Sequence, residues 1–150
     1  MKKIVFQTNE NNVSATIVRI ILGTVLFAHG AQKLLGWFGG YGFNGSMKYF
    51  TETVNLPWIV GFAVIIIEFF GALSIIIGFA TRFWAITIFF LALGIILTTR
   101  TEYGFFMNWF NNKPGEGYEY FLLMMGLAVA LVYSGGGKLS VDRLISPPAN

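Results

Sequence analysis

The sequence predicts an all-α protein, a four-helix transmembrane bundle with a short interfacial helix in its first loop, and three observations carry that prediction. Of the 150 residues, 55% are hydrophobic and only 11% are charged, whereas soluble domains average about 25% charged. The apolar residues fall in long runs, Ile17 to Ala28, Trp58 to Phe79, Phe83 to Thr98 and Tyr120 to Tyr133, and not in amphipathic stripes. Sixteen phenylalanines and four tryptophans complete the picture, many of them close to the ends of the runs, where rings seat at the boundary of hydrocarbon and headgroups.

Residues 1–150 are expected to form a single integral membrane domain with spans at about 13–35, 57–79, 82–99 and 118–133. The opening, Met1-Lys2-Lys3 and a polar stretch to Asn12, resembles the lead of a secretion signal. Its polar part is long, however, and the apolar pattern continues past Ala28 to Leu35, so an uncleaved first span is expected. In the first loop Phe43, Met47, Phe50 and Val54 recur at helical spacing, with Ser46, Lys48, Glu52 and Asn55 on the opposite side. That pattern predicts a short amphipathic helix on the membrane surface, ended by Pro57 where the second span begins. Only Ala80-Thr81 separate the second and third spans, which makes them a tight antiparallel pair. The long second loop, Arg100–Gly117, interleaves Trp, Phe and Tyr with Asn and Gly and is expected to fold over the same mouth as the first.

An even number of spans puts both termini on one side. Lys2, Lys3, Arg82, Lys138 and Arg143 lie at or beyond the span ends there, against Lys33, Lys48, Arg100 and Lys113 on the other. This modest excess places both termini in the cytoplasm. A net charge of +3 then needs no nucleic-acid partner, and the expected partner is the lipid bilayer. The absence of cysteine excludes an internal dithiol relay, disulfides and thiolate metal ligation; redox work would need a bound cofactor to carry the electrons.

Two glycine motifs suggest nucleotides and fail on context. Gly40-Tyr41-Gly42-Phe43-Asn44-Gly45 matches G-x-G-x-x-G, but a membrane helix precedes it where a strand is required. The acid at the right distance, Glu68, lies in the middle of the second span. Gly135-Gly136-Gly137-Lys138 lacks the Walker spacing and reads as a helix stop. The glycines of the first loop serve instead as positive-φ turns that end a span.

Ionisable groups in hydrocarbon cost about 2.5–3.5 kcal/mol on insertion scales and are usually paired or functional. Arg19 on the first span and Glu68 on the second are expected to form a buried polar pair. That expectation takes both helices to start at one level, which puts Arg19 roughly 8 Å and Glu68 about 14 Å above the terminal-side edge at 1.5 Å per residue. The pair is read as either a register lock or a functional coupling. At the other mouth His29, Gln32 and Lys33 share one helix face by i, i+3, i+4 spacing. Thr98, Thr99 and Arg100 end the third span there, and Tyr118 and Glu119 open the fourth. His29, Gln32, Lys33, Arg100 and Glu119 are the candidate ligand-binding residues, weighed against an ordinary interfacial belt with Lys33 snorkelling. Catalytic residues are not assigned. One histidine rules out bis-histidine haem, and His29 with a carboxylate leaves a metal short of ligands, so no metal is expected. A quinone headgroup or similar carbonyl compound needs only a donor at each oxygen and rings around it.

Four blocks together resemble the DoxX family of small bacterial membrane proteins: RIILGTVLFAHGAQKLLGWFGGYGFNG, IEFFGALSIIIGFATR, GFFMNW and GYEYFLLMMGLAVALVYSGGGKLSVDRLI. The resemblance covers most of Arg19 to Ile145. It implies a four-helix bundle of the bacterial inner membrane, related to the DoxD subunit of an archaeal thiosulfate:quinone oxidoreductase and to membrane partners in oxidative-stress complexes. Arg19, His29, Gln32, Lys33, Glu68, Arg82, Glu119, Ser140 and Asp142 match positions where the family motif is polar. The leading expectation is a quinone-interacting subunit or accessory of a redox system with a soluble or membrane redox partner. Two alternatives stay open: a non-enzymatic scaffold anchoring a soluble oxidoreductase, and a carrier or sensor of a small hydrophobic compound. Gly61, Gly71, Gly78 and Gly94 offer small-residue faces for close helix packing, including packing between copies.

Overall fold

The computed structural model describes residues 6–9 and 11–146, so Lys2 and Lys3 lie outside the described residues. Helix α1 runs Val13–Leu35, started by the Asn12 side chain, which accepts from the Ala15 N–H at 2.9 Å, and stopped by Gly36 at φ 74°. Helix α2, Gly42–Lys48, continues through a widened turn at Tyr49–Thr53. Helix α3 spans Trp58–Ile77, helix α4 Thr81–Tyr103, helix α5 Glu119–Ser134, and a one-turn helix α6 covers Val141–Ile145. No strand occurs among the described residues, as expected of an all-α protein.

Helices α1, α3 and α4 are each long and apolar enough to cross a membrane. Helix α5 has 16 residues, about 24 Å of rise, and packs chiefly along α4. The core between the four is built from Leu22, Leu26, Ile75, Ile88 and Leu131 with Ala72, Ala85, Ala92 and Ala128 at the closest approaches. The alanines matter because lipid tails are as apolar as leucine, so close packing of the helices has to hold them together. The outward faces carry Ile17, Phe90, Leu97 and Leu123, all exposed, as lipid contact requires.

Gly30 sits directly against the backbone of Glu68: a Cβ there would come within 2.6 Å of the Phe69 nitrogen. This contact sets the register of α1 on α3. Gly61 and Gly71 are used in the same way inside the chain, beneath the rings of Phe50 and Trp84, while Gly94 faces open space.

The amphipathic helix of the first loop is folded into the end of the bundle. Met47 and Phe50 are buried with Ile65 of α3 and are flanked by Leu34, Phe43 and Phe62. Ser46, expected on the outward face, is buried as well. Ser46 stands three residues after Phe43 and four before Phe50, so ordinary helical spacing itself sets it beside the buried face.

Candidate functional site

Arg19 and Glu68 do not pair with each other. Because Gly30 lies level with Glu68, α1 overshoots the end of α3 by roughly two turns. Arg19 is therefore carried to the C-terminal end of α3, not to its middle. There its guanidinium donates from Nε to the Gly136 carbonyl at 2.8 Å and from Nη1 to the carbonyls of Ile75 and Ile76. The last carbonyls of a helix have no partners of their own, and a buried cation at that end is favoured by the helix dipole.

Asp142, brought back by the tail, does the converse job. Its carboxylate accepts from the N–H groups of Ala80 and Thr81, at 2.7 and 2.8 Å, at the start of α4. Ser140 caps α6, its hydroxyl accepting from the Arg143 N–H, and Arg82 holds the carbonyls of Gln7 and Tyr133. The end of the bundle where α1 starts and the tail returns is thus a dense polar lattice with Arg19 and Asp142 almost fully buried in it.

Glu68 finds its partner in Lys33, whose Nζ donates to Oε2 at 2.5 Å. Helix side chains tilt toward the N-terminus, so a lysine in the last turn of α1 reaches back into the bundle instead of snorkelling outward. The pair borders a cavity of about 190 Å³ between α1, α3, α4, α5 and the α2 segment. Leu26, Val64, Ile95 and Met124 form its apolar lining, and Tyr49, Phe50, Tyr120 and Phe121 add rings. His29, Lys33, Glu68, Thr98, Thr99 and Arg100 supply the polar groups.

All three widened turns among the described residues border this cavity. Tyr49–Thr53 brings Tyr49 and Phe50, Ile67–Gly71 brings Glu68, and Ile96–Arg100 brings Thr98, Thr99 and Arg100. Such turns re-aim side chains and recur at functional sites. Thr98 and Thr99 donate their hydroxyls to the carbonyls of Gly94 and Ile95, which leaves their oxygens only as acceptors toward the cavity. The Arg100 guanidinium lies 5.7 Å from the centroid of the Phe121 ring, and its Nε is buried without a hydrogen-bond partner. The His29 ring stands 6.2 Å from that of Tyr120.

Of the five candidate ligand residues, three thus meet in one cavity: His29, Lys33 and Arg100. Gln32 lines an adjoining space and donates to the Phe38 carbonyl at 3.4 Å. Glu119 accepts from the Met107 N–H at 2.8 Å, and with Glu116, which accepts from the Asn108 N–H, it pins the second loop. Tyr49, Phe50 and Tyr120 enter the cavity wall without having been singled out as site residues; their signal was only that rings cluster near the ends of the spans. Among the described residues no three His, Asp or Glu side chains gather to hold a metal ion. The cavity offers hydrogen-bond donors on Lys33, Arg100 and His29 against one carboxylate, a balance suited to a ligand rich in acceptor oxygens.

The DoxX family model matches residues 14–101 of the chain. The chain is 26% identical over 133 residues to a Bacillus subtilis (strain 168) protein named "Putative oxidoreductase CatD", covering 89% of this chain and 87% of that one. It is 27% identical over 140 residues to the inner membrane protein YqjF of Escherichia coli (strain K12), covering 90% and 94%. No solved structure matches it significantly.

Proposed function

The chain belongs to the DoxX family of membrane proteins, and from that premise we propose that its loop-end cavity seats the headgroup of a membrane quinone, making it a quinone-interacting subunit or accessory of a redox system. The observation that carries the reading is the unpartnered, buried Arg100 Nε on the wall of the cavity that also holds the Lys33–Glu68 pair. A buried donor left without an acceptor costs about 1–3 kcal/mol. A ligand oxygen that draws the guanidinium toward the cavity offsets that cost. At about 190 Å³ the cavity falls below the ~300–1,000 Å³ of sites for drug-sized ligands, so it suits one ring whose tail stays in lipid.

A bound quinone supplies the two-electron carrier that a chain without cysteine lacks. The residues do the rest: Arg100 holds one carbonyl oxygen, Lys33 or His29 donates toward the other, and Tyr49, Phe50, Tyr120 and Phe121 exclude water around the ring. A redox partner exchanges the electrons. The oxidoreductase name of the B. subtilis relative and the inner-membrane name of the E. coli one agree with this assignment. The excess of Lys and Arg at the terminal side supports cytoplasmic termini, with the cavity mouth toward the opposite face of the inner membrane.

The test is extraction of the protein, purified in native lipid, with mass spectrometry for co-purifying quinones against a His29→Ala control. Stoichiometric quinone in the parent and its loss in the variant are expected. Equal recovery from both, or none enriched in the parent, overturns the assignment.

A further inference from the structure

Lys33, Tyr49 and Phe50 each border two cavities. On one side is the cavity described above; on the other is a second space of about 250 Å³, whose remaining wall is Gln32, Gly39, Gly40, Tyr41 and Ser46. The two spaces differ in the residue types that wall them. Four aliphatic or thioether side chains at least line the first, whereas no aliphatic side chain lines the second, which is walled by glycine backbone, an amide, a hydroxyl, an ammonium and rings. It is also held in shape. Gly40 packs so tightly on the end of α1 that a Cβ would stand 2.6 Å from the Gln32 carbonyl carbon.

The ion pair lies across the boundary. Lys33 lines both spaces whereas Glu68 lines only the first, and the Lys33 side chain is 26% exposed against 5% for Glu68, so the ammonium stands between the second space and the carboxylate. A space of this size has room for several waters, and Gln32, Lys33, Ser46 and the Gly39-Gly40 backbone offer them hydrogen-bond partners.

We infer that the second cavity is a water-filled antechamber through which protons move between the aqueous phase and Glu68, past Lys33 and separately from the opening that admits the headgroup. This rests on the reading of the first cavity as a headgroup site. A proton leaving a bound hydroxyl breaks its O–H bond and forms one on the Glu68 carboxylate. The carboxyl then passes it to antechamber water and the pair with Lys33 re-forms. His29, Tyr49, Arg100 and Tyr120 are the other titratable groups that surround the pair in the first cavity, and Tyr41 stands at the second.

The chain has no cysteine, so Ser46→Cys places a single thiol in the antechamber with almost no change of shape. The folded variant in lipid nanodiscs is treated with a charged methanethiosulfonate and then with a water-soluble carbodiimide. Activated Glu68 is captured by the adjacent Lys33 amine as an amide, with loss of one water, and the linked peptides are read by mass spectrometry. The thiol at position 46 should react, and its modification should abolish most of the Lys33–Glu68 crosslink. An inert thiol, or a crosslink yield unchanged by the modification, overturns the antechamber. A parallel Thr98→Cys variant reports on the first cavity: a short-chain quinone analogue should slow its modification without reducing the crosslink. An analogue that never protects position 98 defeats the quinone reading and leaves the antechamber result standing; one that abolishes the crosslink shows a single entrance and overturns the antechamber.

Discussion

At the terminal end of the bundle Arg19 and Asp142 are 2% and 1% exposed, and their side chains are spent on backbone groups at the end of α3 and the start of α4. At the loop end Lys33 and Glu68 grip one another, Arg100 leaves a donor unused, and a cavity separates the helices. Both ends place charge where hydrocarbon makes it costly. The first saturates that charge with fixed partners, apart from the unpartnered Thr81 hydroxyl, and gains a rigid closure. The second leaves part of it unsatisfied, which is what a ligand site requires. Buried charge in a membrane helix therefore does not itself mark a ligand site; the proposed site is distinguished by the unfilled hydrogen bond of Arg100 beside a cavity.

The contrast can be broken most severely at the closed end. Asp142→Ala uncaps α4 by removing two hydrogen bonds to a buried carboxylate, each worth about 1.5–3 kcal/mol, so a loss of about 3–5 kcal/mol is expected. Denaturation in detergent measures it. A variant as stable as the parent would show that the tail is not a latch. At the loop end Lys33→Met strands the buried Glu68 carboxylate and should cost about 3 kcal/mol, while adding Glu68→Gln in the same chain should restore most of it. Failure of the second change to rescue the first would mean that the pair is not what the lysine stabilises.

Gly30→Ala probes the joint between the ends. A methyl group there meets the Glu68 backbone, so α1 and α3 must separate, at about 1–3 kcal/mol for overpacking. The carbodiimide crosslink between Lys33 and Glu68 should fall with it; an unchanged yield would remove Gly30 as the residue that sets the pair's geometry. The smallest change in stability is expected from His29→Ala, within about 0.5 kcal/mol, because its ring is exposed and its one ring contact is with Tyr120. The melting temperature should stay in place while bound quinone is lost. A large drop in stability would instead make His29 a structural residue.

How far the site was readable in the sequence varies by residue. His29, Lys33 and Arg100, which line one cavity, could be grouped from the sequence because helical spacing and span ends are local properties, and each lies within a turn or two of a span end. Glu119, a candidate ligand residue at the mouth, opens α5 there but does not line the cavity, since the second loop folds back to take its carboxylate. The partners of Arg19 and Glu68 were misjudged for one reason. Depth was counted from a common edge, whereas the glycine contact at Gly30 offsets α1 against α3 by roughly two turns. Ser140 and Asp142 stood out only as polar residues in the tail, and nothing local says which helix start a residue sixty positions away will cap.

Composition and apolar run length alone determined that the chain is helical and crosses a membrane. Backbone groups in hydrocarbon must bond within their own segment, and that constraint acts on each stretch independently of the others. Helix register, the exchange of partners that follows from it, and the cavity between the loop-end turns were decided only in the tertiary structure. Each depends on how closely two backbones approach, and that distance is set where glycines meet particular residues on another helix, Gly23 against Ala72 and Ile76 and Gly30 against Glu68.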